Sequence, residues 1–164
     1  MEKSIIMGSR KVTLRASAGA LVVYKDQFGS EYTEDIEALK ENPENALTVG
    51  GQLIWSMAKV ADDRTEPPID FFGNIGEFDT EKAFAEATDL FDKSCRNINS
   101  AGENGKDKLT SENLVTSALI CKMSFSDLCR LPLSMAINII GEYCALKSGE
   151  EPSHWATQED FDNF

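Results

Sequence analysis

The chain has 164 residues, 41% of them apolar, with 16 Lys and Arg against 28 Asp and Glu for a net charge of −12. That is one domain's length by the usual range of about 100–200 residues, and so acidic a balance argues against binding nucleic acid or anionic membranes through surplus cations. Four Cys without a CxxC pair and a single His leave almost no zinc-type ligand set, and the absence of a signal-like start or of about 18 consecutive apolar residues predicts a reduced, cytoplasmic protein.

After a polar start, Lys11 to Ser17 alternates Val12, Leu14 and Ala16 with Lys11, Thr13, Arg15 and Ser17, the period-two pattern of a half-buried strand. Ala18-Gly19-Ala20 breaks it. Leu21, Tyr24 and Phe28 then recur at helical spacing and stop at Gly29, which suits a left-handed helix end. The β-rich Val22-Val23-Tyr24 leaves a hairpin open as the alternative. From Thr33 to Glu41, Ile36 and Leu39 on an acidic background predict a short amphipathic helix that ends before Pro43.

Leu53, Ile54, Met57 and Val60, with Trp55 beside them, form a clear helical stripe over Val49 to Ala61. Pro67-Pro68 ends that section, and Pro68 can open a short helix carrying Ile69, Phe71, Phe72 and Ile75. Asp79 or Thr80 caps a longer helix with Phe84, Ala87, Thr88 and Phe91 on one face, running to about Arg96. Residues 97–108, NINSAGENGKDK, read as a linker because almost nothing in them can repay ordering. Leu114, Ala118 and Cys121 with Val115 and Leu119 predict a compact helix, and Ser124 with Asp127 opens another holding Phe125 and Leu128. Pro132 starts the last helix, where Met135, Ile139, Tyr143 and Leu146 follow one ridge and Ala136, Ile140 and Cys144 the next. The ending, GEEPSHWATQEDFDNF, reads as an exposed tail. The predicted class is mostly α with a minor N-terminal β element, a small α+β protein. Its expected parts are an N-terminal domain (1–96), a flexible linker (97–109), a small helical extension (110–149) and an acidic aromatic tail (150–164).

Chemistry finds little to stand on. A calcium loop begun at Asn97 would have Asn99 and Gly102 in place, but Ala101 and Lys108 stand where a ligand and the bidentate Glu belong. His154 sits in the polar tail with nothing to orient it. Cys95, Cys121, Cys129 and Cys144 have no nearby His to activate them and read as packing residues. Asp62-Asp63 with Asp70 and Glu77 could suggest a magnesium site, yet acids are common here and Gly50-Gly51 lacks the continuation of a phosphate loop. No catalytic, metal or cofactor-binding residue is assigned, and an enzyme is not expected. The tail's interleaved rings and carboxylates read either as a linear binding motif or as a frayed acidic end.

Several segments together resemble the tail assembly chaperones of long-tailed bacteriophages and prophages of Gram-positive bacteria. The opening VTLRASAGALVVYKDQFGSEYTEDI is similar to the family's start, with Leu14-Arg15-Ala16, Ser17-Ala18-Gly19, Tyr24 and Phe28-Gly29 as its elements. LIWSMAKVADD followed by IDFFGNIGEFD resembles the central helix and the acidic, Phe-bearing segment after it, and WATQEDFDNF resembles the end of the downstream extension that is commonly added by ribosomal frameshifting. Ser17 and Ala20 depart from the family's Thr-Ala-Gly-Thr-Pro wording, which leaves a strand as the alternative for the second segment.

The resemblance implies a non-enzymatic factor, absent from the finished virion, that acts in the cytoplasm of the bacterial host. It would bind the tape measure protein through its N-terminal domain and recruit the major tail tube protein through its extension. The candidate partner-binding residues are Phe71, Phe72, Met135, Ile139, Trp155, Glu159, Asp160, Phe161 and Phe164. Leftover apolar surface also suggests a homo-oligomer. The competing reading is an acidic DNA mimic or other small adaptor that inhibits a nucleic-acid-binding partner, which needs carboxylates spaced like phosphates.

Overall fold

Gly8 and Ser9 join β1 (Glu2–Met7) to β2 (Arg10–Arg15) in an antiparallel hairpin, with Met7 opposite Arg10 and Glu2 opposite Arg15. Gly8 has φ 56°, the positive value that lets a two-residue connection follow the strands' right-handed twist. A Cβ at Gly8 would lie 2.2 Å from the Ile75 carbonyl oxygen, so no side chain fits there. Alternation then turns Ile5, Met7, Val12 and Leu14 inward and leaves Ile6 exposed. This corrects two expectations. The strand runs from Arg10 to Arg15 rather than from Lys11 to Ser17, and the polar start is its partner.

The computed structural model describes residues 1–96 and 110–148. The linker and tail readings, with Trp155, Glu159, Asp160, Phe161 and Phe164, lie outside the described residues. Eight α-helices follow the hairpin among the described residues: α1 (Ala18–Phe28), α2 (Tyr32–Ala38), α3 (Ala46–Ala61), α4 (Pro68–Ile75), α5 (Thr80–Cys95), α6 (Ser111–Ile120), α7 (Phe125–Arg130) and α8 (Leu133–Ser148). The class is a mostly helical α+β fold, as expected. The segment from Ala20 to Phe28, which the sequence left open, is helical and stops at Gly29 with φ 80°, whose N–H donates to the Lys25 carbonyl.

Helix α3 is the hub. Its stripe buries Leu53, Ile54, Trp55 and Met57 against α1, α5 and β2, and fully burying such side chains contributes about 1.5–3 kcal/mol each before entropy is subtracted. Trp55 donates its ring N–H to the Glu66 carbonyl at 2.8 Å, which satisfies the indole's only donor. The caps read from the sequence are present. Asp79 accepts the Lys82 N–H at 2.9 Å, and Ser124 and Asp127 bond reciprocally as a capping box.

Helices α6 to α8 share the same core. Leu114, Ala118, Leu128, Leu133 and Ala136 are buried in one cluster with the α1 and α3 side chains. The Ala18 N–H donates to the Leu131 carbonyl at 3.2 Å, and Cys129 lies so close over α1 that a Cβ on Gly19 would come within 2.7 Å of its sulfur. Glu31, buried, accepts the Ser111 N–H at 3.2 Å and the Ser111 hydroxyl at 2.8 Å. A carboxylate placed at the first residue of α6 meets that helix's free N–H groups and the positive end of its dipole. The faces of these helices differ in part from the expected ones. Leu119 on α6 is exposed, and α8 turns Leu133 and Ala136 inward while Ile139 and Leu146 face solvent.

Tyr24 and Tyr32 join the two halves of this core edge to face, with Tyr32 packed in turn on Phe91 at a centroid distance of 5.1 Å. Burial pushes both phenols well above their ordinary range. Tyr24 is raised further by its hydrogen bond to Asp35, and Tyr32 by the nearby Asp92 and Cys95. A phenol whose folded pKa exceeds its unfolded value, about 10, contributes stability that is intact below that pH and lost as pH rises above it. Stability is therefore expected to fall by about 1 kcal/mol per tyrosine between pH 9 and 11. Urea unfolding across that window checks this. Tyr32→Phe, which removes one titrating group, should flatten part of the decline.

Candidate functional site

Two adjacent glycines sit in the middle of α3, at Gly50 and Gly51. Each weakens a helix by roughly 0.5–1 kcal/mol relative to alanine, so their place in the central helix needs a tertiary reason. Gly50 supplies one directly: a Cβ there would stand 2.4 Å from the Phe84 ring. Gly51 is different. The Phe72 ring is its nearest neighbour, at an ordinary 3.6 Å, and the space above it is a cavity.

That cavity, about 380 Å³, lies between α3, α4 and the start of α5. Phe28, Phe72, Phe78 and Phe84 form its walls, and Gly51 and Ile54 are among its lining residues. Its polar groups are few: Thr48, Thr80 and Gln52. The Gln52 amide oxygen lies 2.7 Å from the Tyr24 hydroxyl, whose one proton it shares with Asp35, also at 2.7 Å. Apolar surface continues past the mouth. Leu47 is 58% exposed at one side, and Ile69, next to the lining Pro68, is 87% exposed. This groove, an apolar cavity with a few polar groups and an apolar margin, has the form of a site for an apolar ligand or for side chains of another protein.

The expected partner-binding residues fall in three different places. Phe71 is 3% exposed and belongs to the core, whereas its neighbour Phe72 is half-buried and walls the groove. The two rings meet edge to face at 4.9 Å. Met135 is half-buried and Ile139 exposed on α8, and neither lines this cavity. Phe28, Phe78 and Phe84 went unassigned in sequence. The glycine pair inside a strong helical stripe was the available signal, since propensity alone disfavours it.

Thiol and metal chemistry gain nothing from the geometry. Burial pushes the Cys95 and Cys129 thiols up, away from the thiolate form that attacks or ligates. Asp62 is held below the usual carboxylate range by its hydrogen bonds from Arg64. Among the described residues, no three His, Cys, Asp or Glu side chains converge as a metal ion would need. No described helix is long and apolar enough to cross a membrane. Compared with protein-family models, curated proteins and solved structures, the chain gives no match to any of the three.

The two glycines yield a sharp local test. Gly51→Ala is expected to stabilise the protein by about 0.5–1 kcal/mol, because helix propensity improves and the new methyl meets only an ordinary contact. Gly50→Ala should instead lose about 1 kcal/mol net, as overpacking against Phe84 outweighs the same propensity gain. Paired chemical denaturation curves give both signs at once.

Proposed function

We propose that the chain is a non-enzymatic tail assembly chaperone of a long-tailed bacteriophage or prophage. In this reading it holds an apolar helical segment of the tape measure protein in the groove between α3, α4 and α5. It recruits major tail tube subunits through Trp155, Phe161 and Phe164 with Glu159 and Asp160, works in the cytoplasm of the bacterial host and stays out of the virion. The observation that carries the reading is the groove: four phenylalanines over a glycine floor, almost without polar groups, in a chain whose −12 charge keeps such a surface soluble. The ordered segments that resemble this chaperone family support it from a separate direction.

The test is co-expression of the full chain with the tape measure protein of the same phage. A soluble complex is expected, and it should be lost with Phe72→Asp, which puts a charge into the groove wall. Removing residues 155–164 should leave that complex intact and abolish capture of the tube subunit, because aromatic anchors commonly contribute more than about 2 kcal/mol each at an interface. Equal tube binding with and without those residues would remove the tail's assigned role. A tape measure protein that stays insoluble and uncaptured would remove the chaperone reading itself.

A further inference from the structure

The groove's lining residues have mostly acidic neighbours in the sequence. Two of the segments that line the groove, 43–52 and 67–84, contain five carboxylates, Glu44, Asp70, Glu77, Asp79 and Glu81, and one cation, Lys82, while Phe28 and Ile54 lie outside them. All six are exposed, and none of the five carboxylates belongs to an ion pair among the described residues. Asp79 has a structural duty as the cap of α5. Asp70 stands two residues before Phe72, Glu77 precedes Phe78, and Glu81 follows Thr80. Unpaired like charges repel one another and are relieved by a partner of opposite sign.

From this juxtaposition we infer that the groove's occupant is a basic amphipathic helix, one that seats a large apolar side chain over Gly51 between Phe72 and Phe84 and sets lysines or arginines against Asp70, Glu77 and Glu81. The inference rests on the binding reading above and adds the partner's chemistry. Apolar anchors at helical spacing supply the buried area, while the flanking cations set orientation, speed the encounter and exclude acidic helices. A second copy of this chain is a poor occupant, since its net charge of −12 would oppose the same carboxylates.

The probe is a fluorescent 18-residue designed helix with leucines on one stripe and lysines elsewhere, titrated into the full chain by anisotropy. A twin peptide has every lysine replaced by glutamate. The lysine peptide is expected to bind at least about tenfold more tightly than its twin, and to weaken about tenfold between low and high salt as screening lengths shrink. Gly51→Leu keeps every charge but fills the cavity, and should lower lysine-peptide affinity by about tenfold or more. Leu119→Ala, at an exposed apolar position on α6 that does not line the groove, should bind as the wild type does. Undiminished binding by Gly51→Leu would mean general attraction to an acidic surface and would overturn the proposal. So would equal binding of the two peptides, or no binding of the lysine peptide at all. Capture of the tape measure protein alongside any of these results would leave the chaperone reading standing and remove only the partner's charge.

Discussion

Phe71→Ala is expected to cost about 3–5 kcal/mol of stability, the usual range for deleting a fully buried ring, whereas Phe72→Ala should cost no more than about 1.5 kcal/mol. The two residues are neighbours in sequence and touch each other, yet they do different work. Phe71 is buried in the cluster with Ile75 and the α3 stripe, so its loss leaves a cavity that a tightly packed core only partly closes. Phe72 is half-buried and already faces open space on its groove side, so its removal forfeits one edge-to-face contact and widens the groove. Urea denaturation gives the stabilities. Binding of the proposed apolar helix runs the opposite way: Phe72→Ala should impair it while the protein stays folded, and Phe71→Ala should act only through unfolding.

Glu31→Ala should cost about 2–3 kcal/mol, comparable with deleting a large core side chain. The carboxylate is buried, accepts both Ser111 donors and lies 3.9 Å from the Lys25 ammonium. Its removal leaves the Ser111 N–H buried without its partner, while the hydroxyl keeps only the Leu21 carbonyl at 3.2 Å, and an unmade buried hydrogen bond costs about 1–3 kcal/mol. The bond closes a separation of 80 residues, so the loss should also be local. Hydrogen exchange should accelerate first in α6 to α8, ahead of the hairpin and α3. Glu31→Gln, which keeps an acceptor and drops the charge, should recover part of the loss.

The contrast between these two sites shows what could be read from the sequence. The α3 stripe and the Ser124 capping box are local patterns within a few residues that appear as read, and of the two caps open for α5, Asp79 or Thr80, it is Asp79 that serves. The Gly29 helix end is equally local. β1 was hidden because Ile6 points to solvent beside the inward Ile5 and Met7, which blurs the alternation, and because only the Gly8-Ser9 turn marks its end. The outer ridge of α8 could not be told from the inner one. Both are apolar, and contact with α5 and α6 selects Leu133 and Ala136 for burial. The groove is wholly non-local. It draws Phe28, Gly51, Phe72 and Phe84 from four helices, and no spacing rule brings those positions together.

In the proposed function, the groove over Gly51 takes an apolar helix from the tape measure protein. Hydrogen exchange on the full chain, alone and in complex with that protein, tests it most directly. Slowed exchange is expected in residues 47–54 and 68–84, which build the groove, with the hairpin at residues 2–15 unchanged. A stable complex that protects only α6 to α8, and leaves 47–54 and 68–84 exchanging as in the free chain, would contradict it.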